Sequence, residues 1–458
     1  MPNLLMIVTD QHRYDGVSAN GSQLCQTPAL DGLASGGMRF EHAFTCIGLC
    51  SPARASLLTG LYPHNHGALN NNGTDGVRYE LEPECWTFTQ ALGEAGWQLG
   101  YVGKWHVNRT HTPTDYGFHD YVPIGPYRRY REGLGYEWNE AFGSYFRPTG
   151  VTDDIPVEAS RPYFLAEQAI ALIRKYAADQ QSRPWHVRLD FHGPHLPNVI
   201  PEPYASMYDP KSFQPWGNFG DTFEGKPSAH YNQLRNWAIE DMTWEDWQPI
   251  VAKYYGEVSL LDWCIGRVLQ CLDDLGSAED TVVVFTTDHG DANGSHRMYD
   301  KGYCMYEELY RVPLIIRWPG VTQPGSVSRA FVNDWLDLVP TALDIAGLPA
   351  PERLDGRSLV PVLSGEAPAD WPDMAYAEFH GMQFGLYTQR MVRTERYKLV
   401  YNGSDVDELY DLERDPHELH NRIDDPDYRQ VREEHWERFM ACIAGTDDHL
   451  PPPWLNLG

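Results

Sequence analysis

NLLMIVT, residues 3–9, is a near-continuous apolar run that ends at Asp10 and Gln11. A run this short and this apolar is the pattern of a parallel strand buried on both faces. TVVVFTT, residues 281–287, repeats it and ends at Asp288-His289-Gly290-Asp291. Two further strands are read between them. One covers 97–102 and ends at Gly103-Lys104-Trp105-His106; the other is PWHVRLDF, 184–191, followed by His192-Gly193-Pro194-His195. Helical patterns fall at 27–36, 87–96, 163–178 and 248–275, and 328–347 reads as a strand and then a helix. This alternation predicts an α/β fold, with a large, mixed but mostly parallel sheet sandwiched by helices. Beyond it, 374–379 and 385–401 read as antiparallel strands and 425–443 as a final helix, which predicts a small C-terminal α+β unit.

A chain of 458 residues suits one large α/β domain plus a small one. A formal net charge of −28 argues against nucleic acid and anionic membrane surfaces as partners. It also means that an anionic substrate needs a locally positive pocket, built from a metal and a few Lys, Arg and His. The first residues, MPNLLMIVTD, carry neither a basic leader region nor a long apolar span. The eight cysteines form no CxxC pairs. The expectation is a protein of the reducing cytoplasm without a membrane segment.

In open α/β sheets, ligands collect beyond the carboxyl ends of strands. Asp10 with Gln11, and Asp288 with His289, each place an acid and a second ligand type at such an end. Either pair alone also fits an ordinary turn or cap. If the two strands are neighbours, all four converge on a divalent cation. Lys104 and His106 alternate along an extended segment and share a side.

CIGLCSPARASLLTGLYPHNHG, residues 46–67, carries a candidate reactive group. Pro52 suits the first turn of a helix, Ser51 its N-cap and Gly60 its stop. Cys50 then lies just before a helix N-terminus, which favours an anion, and Arg54 reaches back to it from one turn further in. Taken alone, this is a buried structural cysteine beside an arginine, or a thiolate nucleophile.

The string C-x-P-x-R followed by ASLLTG resembles the signature of the type I, formylglycine-dependent sulfatases of the alkaline phosphatase superfamily. GYVGKWH (100–106), HGPHLP (192–197), LDGRSLVPVLSG (354–365) and ELYDLERDPHELHN (408–421) resemble further elements of that family, in its order. The resemblance implies an alkaline phosphatase-like domain over 1–365 and a C-terminal subdomain over 366–458. It also implies that Cys50 is converted to formylglycine by a formylglycine-generating enzyme. The catalytic set would be Cys50, Arg54, Lys104, His106, His195 and Lys301, with Arg54 holding the nucleophile. Asp10, Gln11, Asp288 and His289 would bind one divalent metal, with the residue-50 side chain as a further ligand.

The implied reaction is hydrolysis of a sulfate monoester, on a saccharide or a small molecule, to an alcohol and sulfate. Gln11 and His289 stand where many sulfatases have Asp and Asn, and they resemble the phosphonate monoester hydrolases and phosphodiesterases of the same superfamily. Calcium is the sulfatase default, and an imidazole ligand brings manganese or zinc into range. Lys104 and His106 are the sulfatase form, so the phosphonate or phosphodiester hydrolase stands second. A non-catalytic binding protein on this fold stands third, against the intact Cys50 and basic set. The stretch 107–160, rich in Tyr, Gly, Arg and Pro, reads as long loops, and 201–245, rich in Trp, Pro and Tyr, as an irregular insertion; both are expected to wall the substrate pocket. Arg128, Arg129 and Arg131 are candidates either to meet an acidic substrate or to form a solvated basic loop.

Overall fold

The structure is a computed structural model, and it describes residues 1–71, 77–138, 150–179 and 181–449. The chain forms β1 (Asn3–Asp10), β2 (Met38–Phe44), β3 (Gln98–Gly103), β4 (Asp120–Pro123), β5 (Gly150–Asp153), β6 (Trp185–Pro194), β7 (Asn198–Pro201), β8 (Thr281–Thr287), β9 (Ile315–Arg317) and β10 (Ser326–Asn333). Eight of these make one sheet in the order β10-β2-β9-β8-β1-β6-β3-β4. Only β9 runs antiparallel to its neighbours, β8 and β2, so the sheet is mixed and mostly parallel. β5 and β7 form a separate parallel pair.

The doubly apolar strands are explained by what covers them. Leu4, Met6 and Val8 of β1 pack with the helices Cys50–Thr59, Phe88–Glu94 and Asp334–Ile345. Leu5 and Ile7 pack on the other face with the helices Pro28–Gly36, Arg161–Ala177 and Trp244–Asp274. Val282 and Val284 of β8 face the first layer, and Val283 and Phe285 the second. Successive side chains point to opposite faces, so a strand with helices on both sides needs apolar residues at every position.

A four-stranded antiparallel sheet follows: β11 (Met374–Phe379), β12 (Gln389–Thr394), β13 (Tyr397–Tyr401) and β14 (Glu408–Asp411), with the helix Arg429–Thr446 against β12 and β13. It is pinned to the larger sheet's layer by Glu378 on β11. The Glu378 N–H donates to Cys46 O (2.8 Å), while its carboxylate accepts from the His64 backbone N–H (2.8 Å) and from His64 Nδ1 (2.6 Å). The stretch 201–245 was expected to be irregular, yet it contains the helix Ser228–Trp237. The stretch 107–160 folds in part, into β4, β5 and a short helix, Tyr127–Gly133; residues 139–149 of that expectation lie outside those described. Among the described residues, no helix is long and apolar enough to cross a membrane.

Candidate active site

Parallel strands place their carboxyl ends on one edge, and the register here brings the ends side by side. Thr9 pairs with Thr287, so Asp10 and Asp288 emerge together; Val8 and Gly103 both pair with Asp190. Asp10 pairs with Pro194, which delivers His195. The chain leaves β2 at the same edge and enters the helix Cys50–Thr59, every residue of which is buried.

Cys50 is the first residue of that helix. Ser51 is not the cap: Leu49 occupies that position without a side-chain bond, and the Ser51 N–H donates instead to Asn71 Oδ1 (2.8 Å). The thiol therefore sits on the first turn, with the N-terminal end of the helix dipole beneath it.

Ligand atoms of Asp10, Cys50, Asp288 and His289 all lie within 4.8 Å of one another, and all four residues are buried. The donor chemistry fits a divalent cation. His289 Nδ1 lies 2.8 Å from Gly290 O and Nε2 faces Cys50 Sγ at 3.1 Å; burial works against its charge, but Asp288 and Cys50 raise the imidazole to about 9, so Nε2 carries a proton that a bound cation would displace. Asp10 Oδ1 faces the same sulfur at 3.7 Å. The other oxygens of the two acids are held from behind by Arg54, whose Nη2 donates to Asp10 Oδ2 and to Asp288 Oδ2 (both 2.9 Å). Arg54 Nη1 donates to Asp190 Oδ2 (2.5 Å) and Lys104 O (3.0 Å). Arg54 thus grips the carboxylates, whereas the sequence resemblance gave it the nucleophile. The Gln11 carboxamide turns to Lys301: Oε1 accepts from Lys301 Nζ (2.8 Å), and Nε2 donates to Asp291 (2.5 Å) and Asp300 (2.9 Å).

Above the acids lies a ring of bases. Lys104 pairs with Asp10 and stands 3.7 Å from Cys50 Sγ. His106 and His195 stand beside the Cys50 sulfur. His195 Nδ1 lies 2.7 Å from Leu196 O, which assigns its proton and leaves Nε2 facing Lys301 Nζ at 3.2 Å.

The electrostatics follow from this crowding. Burial works to raise the Cys50 thiol, but Lys104, Lys301 and His289 overcome it and hold the group well below the ordinary thiol range. Burial and Cys50 likewise push the Asp10 carboxyl up, and Lys104 and Arg54 work against them to keep it ionised. Burial, then Lys301 and Lys104, lower the His195 imidazole and favour its neutral form. Lys301 stays charged against burial because Asp300, Cys50 and Asp10 surround it. Gln11, His106 and Asp300 carry φ of +65°, +54° and +64°. Such backbone costs roughly 1–3 kcal/mol per non-glycine residue and clusters at functional sites.

The ring opens into a cleft of about 760 Å³. Its walls include Trp105, Asn108, Arg109 and Tyr121 from the 104–125 segment, Trp237 from the 201–245 stretch and Met382–Phe384 from the C-terminal unit. Arg128 and Arg131 do not line it. Arg131 is buried against Asp153, and Arg128 pairs with Glu132 on the outside.

Sequence reasoning passed over Asp190, Asp291 and Asp300. Asp190 is buried and neutralised by Arg54 and by Arg188, whose Nε and Nη2 donate to its two oxygens (2.8 Å each). Its signal was present: Arg188 and Asp190 alternate within a strand whose neighbouring positions Val187, Leu189 and Phe191 are apolar, and charges in such a strand are rarely buried unless paired. Asp291 and Asp300 are seen only once the chain folds them around Gln11.

Fold and site together define a hydrolase of the alkaline phosphatase-like architecture. A family model described as Sulfatase matches residues 2–348, and one described as N-sulphoglucosamine sulphohydrolase, C-terminal, matches 294–444. The chain belongs to the sulfatase family and is a sulfuric ester hydrolase. It is 27% identical to an N-acetylglucosamine-6-O-sulfatase of Bacteroides thetaiotaomicron, over 94% of this chain and 84% of the relative. It is 29% identical to an arylsulfatase of Clostridium perfringens, over 94% and 92%. Among solved structures, a phosphonate monoester hydrolase of Agrobacterium radiobacter matches at TM-score 0.83 and 28% identity, over 97% of this chain and 96% of that one.

Proposed function

We propose that the protein hydrolyses a sulfate monoester of a sugar or other small alcohol, using formylglycine formed from Cys50 and a divalent metal held by Asp10, Gln11, Asp288 and His289. The observation that carries this reading is the stacking of two layers: four buried donor atoms within 4.8 Å, directly beneath Lys104, His106, His195 and Lys301. Bound there, a dication would neutralise charge on the sulfuryl oxygens, and the hydrated aldehyde at residue 50 would offer one hydroxyl to sulfur and keep a second. For calcium, Gln11 would turn its oxygen from Lys301; for manganese or zinc, the His289 imidazole is the fitting donor.

The remaining steps belong to side chains already placed. Lys104 and Lys301 supply fixed positive charge where negative charge develops, in a site closed to water on its inner side. Lys301 Nζ, which faces His195 Nε2, is the source of the proton, and the pair is placed to pass it, directly or through Nε2, to the departing alcohol oxygen. His106, at the cleft floor beside residue 50, is placed to take the proton of the second hydroxyl, which expels sulfate and restores the aldehyde.

A second reading, a phosphonate monoester or phosphodiester hydrolase, is favoured by Gln11 and His289 and by the likeness to the Agrobacterium enzyme. Lys104 and His106 favour the sulfatase. Initial rates of the mature, metal-loaded enzyme on an aryl sulfate, sulfated hexosamines and an aryl phosphonate separate the two. The expected result is a higher kcat/KM for a sulfate ester. A clear preference for the phosphonate over every sulfate ester would reverse the assignment.

A further inference from the structure

The cations that line the cleft are not equivalent. Lys104 is paired with Asp10, and Lys301 with Asp300, so each has a counter-charge of its own. Arg109, on the wall, has none: no ion pair or side-chain hydrogen bond of its guanidinium occurs among the described residues. In a chain of net charge −28, an exposed guanidinium that has no ion pair and faces a cleft is a position that attracts an anion.

Arg109 is also held in place. Its guanidinium lies over the Tyr79 ring, 4.6 Å from the centroid, and its backbone N–H donates to Glu80 Oε1 (3.0 Å). The preceding Asn108 ties the loop down, donating to Leu81 O (3.1 Å) and accepting from the Thr110 and His111 N–H groups (2.9 Å each). Trp105 Nε1 then donates to His111 O (2.9 Å). A guanidinium fixed in this way loses little freedom when it binds, and its planar fork matches sulfate or carboxylate through two parallel bonds.

Another part of the lining is apolar. Trp237 and Phe384 pack edge to face, 5.4 Å between ring centroids. Phe384 belongs to a turn whose Met382 and Gly385 carbonyls both accept from the Tyr303 hydroxyl (3.2 and 2.9 Å). The cleft thus carries aromatic side chains, a guanidinium without an ion pair and a basic floor, and its volume is that of a small-ligand site. That combination suits a ring with one apolar face and charged edges.

We infer that the substrate is a saccharide carrying, besides the sulfate that is cleaved, a second anionic group that Arg109 receives. The inference rests on the sulfatase reading. Sulfate and carboxylate share the required chemistry, so both are tested.

The experiment measures kcat/KM of the mature, metal-loaded enzyme on matched pairs. One pair is glucosamine 6-sulfate with an N-sulfate against the same sugar with an N-acetyl group. Another is a sulfated disaccharide with a uronate against its carboxyl-reduced form. A neutral aryl sulfate is the common reference. Wild type is expected to prefer the doubly anionic member of at least one pair by about tenfold or more, the scale of a charge-assisted bond. Arg109→Gln is expected to bring that preference to within about twofold, and Arg109→Lys to keep part of it. The pair that responds identifies the source of the anion. If wild type shows no preference in either pair, the inference is overturned. If Arg109→Gln slows both members of a pair equally, Arg109 acts by general attraction of the cleaved sulfate, and the inference is likewise overturned. Failure to cleave any sulfate ester would remove the sulfatase reading and this inference with it, a result distinct from cleavage without preference.

Discussion

Arg54 shows how the site is held at the level of a single residue. One guanidinium satisfies Asp10, Asp190 and Asp288, all fully buried. Removing one partner of a buried charge network costs about 3–5 kcal/mol, because the remaining charges are stranded. Arg54→Ala in metal-stripped protein is therefore expected to lose stability on that scale in denaturant unfolding, whereas loss of activity with wild-type stability would contradict this role. Lys104 and His106 face the reacting group instead. Lys104→Ala is expected to lower kcat/KM for a sulfate ester by roughly 10²–10³, as when a preorganised donor to a developing charge is lost. His106→Ala is expected to slow the release of sulfate more than that of the alcohol, giving a burst of alcohol and then a slow steady state in rapid-mixing experiments. A linear time course at the wild-type rate would remove His106 from the mechanism. Most residues of the site could be read from the sequence because each sits directly after a strand or at a helix start. The direction of a side chain could not. Gln11 and Asp10 are adjacent in sequence, yet the Gln11 φ of +65° sends its carboxamide to Lys301 while Asp10 faces Cys50.

At the scale of elements, the four strands beneath the site were legible. Burial on both faces leaves an unbroken apolar run, and nothing else in a short strand does so as plainly. The short antiparallel β9 was not separable from its neighbours, because Ile315–Arg317 is too brief to carry a period. The helix Ser228–Trp237 was hidden by the Pro- and Trp-rich sequence around it, although it brings Trp237 to the cleft. The approach of β3 to β6 needs Gly103: its φ is +109°, and a Cβ there would lie 1.9 Å from Asp190 O. The joint to the C-terminal sheet gives a pH test. Burial works against the His64 charge, but Glu378 and Asp448 raise its pKa to about 9. An unfolded histidine titrates near 6.5. The pairing therefore adds stability that is complete below about pH 6.5 and is lost as pH rises through about 9, amounting to about 3 kcal/mol. Unfolding midpoints of wild type and His64→Gln from pH 6 to 9.5 are expected to converge as pH rises. A constant gap across that range would show that the pair does not titrate as described.

At the scale of the whole molecule, an acidic protein gathers its bases at one edge of one sheet. Against a net charge of −28, Lys104 and Lys301 make a local positive floor, with the His106 and His195 imidazoles beside them. Two helical layers and eight strands serve to set a few side chains within hydrogen-bond reach, and the C-terminal unit closes the cleft with Met382–Phe384. All of this chemistry converges on residue 50, since an aldehyde hydrate and a thiol would use the same surroundings differently. The most direct measurement is mass spectrometry of the tryptic peptide Phe40–Arg54, from enzyme produced with a formylglycine-generating partner, set beside its specific activity on a sulfate ester. The account predicts an aldehyde at residue 50 and activity in proportion to its fraction across preparations. Full activity in a preparation whose residue 50 is entirely an unmodified thiol would contradict it.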